Sequence, residues 1–173
     1  MRGVADLDNE GTIRARLRGA IHQLASSQAA LEIGILVQET DADDARLWYR
    51  IKQVKLSVSE QDPEFEQVAF AVIRHIGLGT MPFGSSRERP IAFAELLTAT
   101  ASNCNLLSLL VALALYAIYN REVYVRYDEH DGHVWVADGA CPVRHFDDGV
   151  CSHHRHNLVR IYEDSWSFLV ASA

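Results

Sequence analysis

The chain has 173 residues, 49% of them hydrophobic and 23% charged, with a formal net charge of -7. That length suits one domain, residues 1–173, with a real core, and the negative balance gives no electrostatic support to a nucleic-acid or anionic-membrane partner. The start, Met1-Arg2-Gly3-Val4-Ala5-Asp6, has no apolar leader, and the cysteines number three. An odd count without a secretory signal points to the reducing cytoplasm rather than to a disulfide scaffold, with export by a route lacking a cleaved signal left open.

Ile13, Leu17, Ile21 and Leu24 recur at helical spacing and predict an amphipathic helix from about Asn9 to Gln28, with an extension to Ile33 allowed. Arg14, Arg16 and Arg18 read as its solvated face. Thr40-Asp41-Ala42-Asp43 marks a break and a cap, and a second helix runs through Leu47, Trp48, Ile51, Val54 and Lys55. A third helix follows, with Asp62 as its cap, Pro63 in its first position and Gly77 at its end. Its buried stripe is Phe65, Val68, Ala69, Val72, Ile73 and Ile76. Residues 77–89 are rich in glycine, proline and serine and read as a loop, before a short helix from Pro90 to about Leu97.

The apolar run from Leu106 to Ile118 falls short of the roughly 20 residues a membrane span needs, so it is expected as a core helix surrounded by other elements. After Asn120 the pattern changes to period two. Val123–Tyr127 and His133–Ala137 are strands around the turn Asp128–Gly132, Asp138-Gly139 is a second turn, and Val143–Phe146, Leu158–Tyr162 and Trp166–Ala171 are further strands. Helices first and an antiparallel sheet after them make an α+β domain, with the Cys104-bearing helix packed on the sheet.

Ser102-Asn103-Cys104-Asn105 precedes the apolar run and supplies cap-type residues. A helix starting there aims its free N–H groups and positive dipole end at the Cys104 sulfur, which favours the thiolate. His133 is the base such a nucleophile would need. A histidine needs an orienting acid. Asp138 falls on the opposite strand face, whereas a hairpin turning at Gly139-Ala140 sets Phe146 against His133, with Asp148 in diagonal reach. One more residue in the turn brings Asp147 opposite instead, so both aspartates stay open. Asn103 and Asn105 are nominees for a second oxyanion donor beside the Cys104 N–H, and Trp135, on the face of His133, for shielding the site from water.

The run Phe93-Ala94-Glu95-Leu96-Leu97, then Ser102-Asn103-Cys104-Asn105, the apolar helix, Val123–Tyr127 and Gly132-His133-Val134-Trp135-Val136 resembles the transglutaminase-like superfamily, within the papain-like set of thiol enzymes. The resemblance covers about Asp62 to Gly149. It implies a transglutaminase-like core over residues 62–173 behind a helical N-terminal extension, residues 1–60, with Cys104 as nucleophile, His133 as base and Asp147 or Asp148 as the acid. Ser102 and Asn103 stand where the family commonly has glycine. The implied activity is that of a cysteine-dependent hydrolase or acyltransferase on amide bonds: a peptidase, a glutamine deamidase or a cross-linking transferase. Its substrate would be a protein or peptide, in the manner of a bacterial effector or a processing enzyme, and its chemistry calls for no cofactor. A non-catalytic protein-binding domain of the same fold is the rival expectation.

Cys141, His145, Cys151, His153, His154 and His156 crowd one stretch and raise a zinc-stabilised module as a further alternative. Their spacing matches none of the usual finger patterns, so no metal is assigned.

Overall fold

The molecule is organised around one helix, for a reason visible in its residues. In Cys104–Tyr119 (α5), Leu106, Leu107, Leu109, Leu110, Val111, Leu113 and Leu115 are all buried. A helix apolar on consecutive positions has no side to give to solvent, so other elements must cover it all round. The computed structural model describes residues 9–76, 90–98, 104–127, 134–138, 141–146 and 166–169. Within them, α5 is covered by Glu10–Ser27 (α1), Ala45–Ser57 (α2), Phe65–Ile76 (α3) and a sheet formed by the later strands. The class is α+β. No helix among the described residues is long and apolar enough to cross a membrane.

The N-terminal helices are set by their caps. Asn9 accepts from the Gly11 N–H at 2.8 Å and starts α1, whose Ile13, Leu17, Ile21 and Leu24 face the core. The helix does not continue to Ile33. Gln28 takes a left-handed conformation and Ala29–Ile33 is a separate 3₁₀ turn, closed by Gly34 at φ 74°, where glycine avoids the Cβ clash. Another 3₁₀ turn, Glu39–Asp43, occupies the expected break, and the cap of α2 is the next residue, Asp44. Its carboxylate accepts from the Arg46 N–H at 2.8 Å and from the Arg46 guanidinium at 2.7 Å. That guanidinium holds Asp44 below the usual carboxylate range, while burial pushes the neighbouring Asp41 up.

α3 starts later than the proline suggested. Gln67 Oε1 accepts from the Glu64 N–H at 2.8 Å, which makes Glu64 the capping position in place of Asp62. Pro63 is instead buried, and its carbonyl accepts from Arg121 Nη1 at 2.6 Å. The three arginines of α1 also do more than meet solvent. Arg14 lies 4.9 Å over the Trp48 ring, Arg16 donates to the Ala117 carbonyl at 3.2 Å, and Arg18 pairs with Asp43 at 3.1 Å.

The short helix expected from Pro90 is two elements. Ile91–Ala92 (β2) pairs in parallel with Ile35–Leu36 (β1), and only Phe93–Leu96 (α4) is helical. The loop 77–89 lies outside the described residues, as do the turn Asp128–Gly132 and the strand expected at Leu158–Tyr162.

The larger sheet has the order β5-β4-β3-β6, from Val123–Tyr127 (β3), Val134–Asp138 (β4), Cys141–Phe146 (β5) and Trp166–Leu169 (β6), each neighbour antiparallel. Asp138 is thus the last residue of β4 rather than a turn residue, and β5 begins at Cys141, ahead of the expected Val143. Val123, Val125, Val134 and Val136 are buried, while Tyr124 and Arg126 are only half-buried. The valine face therefore packs on α5 and the alternate face points away from it.

Candidate active site

Cys104 is the first residue of α5, so the free N–H groups and positive dipole end of a buried 16-residue helix belong to its backbone. Its side chain, and all of Asn103, His133, Asp147 and Asp148, lie outside the described residues. So do Cys151, His153, His154 and His156, while Trp135, Cys141 and His145 are described by backbone alone. Among the described residues no group of three or more potential ligands is arranged to hold a metal ion.

Two short polar side chains fix the start of α5. Asn105, 5% exposed, donates from Nδ2 to the Ile33 carbonyl at 2.9 Å. Ser108, 3% exposed, donates from Oγ to the Val134 carbonyl at 3.2 Å. The first bond ties the helix to the N-terminal segment just before Gly34 and β1; the second ties it to the opening of β4. Residues four apart share a helix face, so the face that starts at Cys104 continues at Ser108 onto Val134, the neighbour of His133 in sequence. Asn105, nominated above for the oxyanion, spends this amide N–H on holding two segments together.

Neither tie was foreseen, yet both carried a signal. A lone asparagine or serine at a buried position of an otherwise apolar helix costs free energy unless it finds a partner. Asn105 and Ser108 were the polar positions at the entrance of the run, and each has found a carbonyl from a distant element.

The register of the β4–β5 hairpin differs from the simple two-residue turn. Asp138 does pair with Cys141, but an irregularity follows, and Ala137 pairs with His145 and Val136 with Phe146. Phe146 is therefore opposite Val136 and not His133, which removes the pairing from which Asp148 and Asp147 were first nominated. On β4 itself Trp135 pairs with Arg126, in alternation with the buried Val134 and Val136.

A groove of about 470 Å³ lies beside β1, lined among others by Gln28, Leu31, Ile35, Leu36, Gln38 and Thr40. Leu31 and Ile35 flank Ile33, the residue that Asn105 holds, so this groove belongs to the same N-terminal segment that abuts the start of α5.

No family model, curated protein or solved structure matches this chain.

Proposed function

We propose that the protein is a cysteine-dependent hydrolase or acyltransferase of transglutaminase-like, papain-like architecture, acting on amide bonds of a protein or peptide. The observation that carries this reading is the position of Cys104 at the head of α5, with the next turn of the helix bonded to the first residue of β4. A thiol there meets the positive end of a buried helix, where its anionic form is favoured.

In the proposed reaction the Cys104 thiolate attacks the carbonyl carbon, forming a C–S bond as the C–N bond breaks. His133, as imidazolium, gives its proton to the departing amine. Water then attacks the thioester and passes its proton to the neutral imidazole, releasing the acid and the thiolate; a second amine in place of water yields a new amide. The Cys104 backbone N–H donates to the oxyanion in both steps.

This chemistry requires His133 to turn toward α5. His133 stands one residue before Val134, where β4 begins and where Ser108 of α5 is bonded. The orienting acid is Asp147 or Asp148, both of which follow β5 in sequence.

The second reading is a non-catalytic protein-binding domain of the same fold. One experiment separates the two. The native protein is treated with a limiting amount of iodoacetamide near neutral pH and the adducts are mapped. Cys104 is expected to react well ahead of Cys141 and Cys151, and His133→Ala, with one of Asp147→Asn and Asp148→Asn, to slow it. Equal or slower labelling of Cys104, unchanged in those variants, refutes a tuned thiolate, and full biological effect in Cys104→Ala would establish the binding domain.

A further inference from the structure

β1 is paired along one edge only. Ile91 of β2 stands opposite Ile35, and its N–H donates to the Gly34 carbonyl at 2.9 Å. In a parallel ladder the opposing residue bonds to the neighbours on either side, so the N–H and C=O of Ile35 itself point to the other edge of β1. Among the described residues no strand lies on that edge and no main-chain bond reaches Ile35 there. Ile35 is 2% exposed, and main-chain groups so enclosed are costly without a partner. The residue lines the groove of about 470 Å³ described above, which is lined also by Leu36 and by neither residue of β2. The groove therefore opens on the edge that β2 leaves uncovered.

The groove carries charge of one sign. Residues 19–45 hold five acids and no Lys or Arg. Asp41 is buried and accepts from the Gln38 N–H at 2.8 Å, Asp43 pairs with Arg18 at 3.1 Å, and Asp44 pairs with Arg46 at 2.7 Å. The other two, Glu32 and Glu39, are exposed. Glu39 is the one ionisable side chain among the described residues that line the groove. Its carboxylate lies 3.5 Å from His22 Nδ1, in a pair open to solvent. Leu24, Leu31 and Leu36 make much of the remaining lining apolar.

We propose that the outer edge of β1 and its groove bind an extended segment of a protein target that carries apolar side chains and a Lys or Arg. The segment's main chain supplies the donor and the acceptor that Ile35 lacks, its apolar side chains pack on Leu31 and Leu36, and its cation meets Glu39. Charge decides against the alternatives: a nucleic acid or an acidic segment meets Glu32 and Glu39 and is repelled. Asn105 ties Ile33, two residues before Ile35, to the start of α5, so the groove adjoins the head of that helix. The groove rests on the function proposed above only in that its occupant is part of a protein, and it does not depend on the chemistry at Cys104.

The test uses the full chain and three fluorescein-labelled hexapeptides, followed by fluorescence anisotropy: Val alternating with Lys, Val alternating with Glu, and the Val/Lys peptide N-methylated at all its amides. The Val/Lys peptide is expected to bind, more weakly as salt rises from about 0.05 to 0.5 M, and the Val/Glu peptide not to bind. N-methylation keeps the charge and removes the donors, and should weaken binding at least about tenfold. Glu39→Lys, at an exposed position, should weaken it about fivefold, and Cys104→Ala should leave it unchanged. Slow alkylation of Cys104 with these results intact would sink the catalytic reading and leave the groove standing. Absence of binding to the Val/Lys peptide, equal binding of the Val/Glu peptide, or binding indifferent to both N-methylation and Glu39→Lys overturns the proposal. So does a wild-type dimer in sedimentation that the Val/Lys peptide dissociates, since the occupant of the edge is then a second copy of the chain.

Discussion

The two ends of α5 are held by different kinds of bond. At the C-terminal end the ties come from long, part-exposed side chains: Arg16 reaches the Ala117 carbonyl at 3.2 Å, Tyr119 Oη donates to the Val58 carbonyl at 2.7 Å, and Arg121 spans to Pro63 at 2.6 Å. At the N-terminal end they come from Asn105 and Ser108, short and almost fully buried. A long side chain accommodates a shift of its anchor by changing rotamer, and a short buried one does not. The C-terminal end is therefore fastened, whereas the N-terminal end is positioned against two separate segments, Ile33 and Val134. That is the distinction expected if the helix start has to hold a reacting sulfur within a fraction of an ångström.

The comparison breaks first at Asn105. Asn105→Leu keeps the branched shape, adds some bulk and removes the donor from a buried carbonyl, which should cost about 1–3 kcal/mol. At this chain length that corresponds to a fall in melting temperature of about 2–4 °C per kcal/mol, measurable by calorimetry. The same variant should also slow alkylation of Cys104, because the helix start loses its tie to the N-terminal segment. A loss of stability with unchanged alkylation would mean that Asn105 is an ordinary core bond.

Ser108→Ala comes next, at about 1 kcal/mol, since alanine leaves little void and removes one neutral hydrogen bond. Its effect on Cys104 alkylation should match that of Asn105→Leu despite the smaller cost in stability, because Ser108 is what joins the helix to β4. Tyr119→Phe supplies the contrast at the other end. It loses a comparable hydrogen bond, about 0.5–1.5 kcal/mol, and should leave the alkylation rate where it was. Equal slowing by all three substitutions would erase the distinction between the ends.

The helices were legible because their signals are local. Ile13, Leu17, Ile21 and Leu24 mark their face by spacing alone, and the consecutive leucines of α5 declare a helix buried on every side. What the chain did not disclose depends on partners distant in sequence. β1 and β2 are two-residue strands that exist only because residues 35–36 and 91–92 meet, and no periodicity announces a pair that short. The start of α3 moved from Asp62 to Glu64 because Pro63 was drawn into the core, with its carbonyl taken by Arg121. The β4–β5 register slipped because an irregularity at Ala137/Asp138 absorbs extra residues of β5. That slip matters most, since a change in register decides which residue of β5 stands opposite which residue of β4. Cys104 as the head of a helix could be read from its neighbours, but the acid could not.

The smallest expected effect, the gain from Asn120→Gly, lies just past the C-terminal end of α5. Asn120 follows α5 at φ 53°, its N–H donating to the Tyr116 carbonyl at 3.0 Å, and the Arg121 N–H closes onto Leu115 at 3.2 Å. Asparagine tolerates this left-handed conformation better than other residues with a Cβ, though less well than glycine. Asn120→Ala should therefore cost about 1 kcal/mol, and Asn120→Gly should gain a few tenths, the relief of the Cβ being partly offset by the greater freedom of glycine in the unfolded chain. Thermal melts of the pair give the sign directly. Alkylation of Cys104 should not respond to either, because the strain is released at an end that long side chains already hold in place. If Asn120→Gly instead slowed the reaction at Cys104, the helix would be transmitting displacement along its whole length, and its start would not be fixed independently by Asn105 and Ser108.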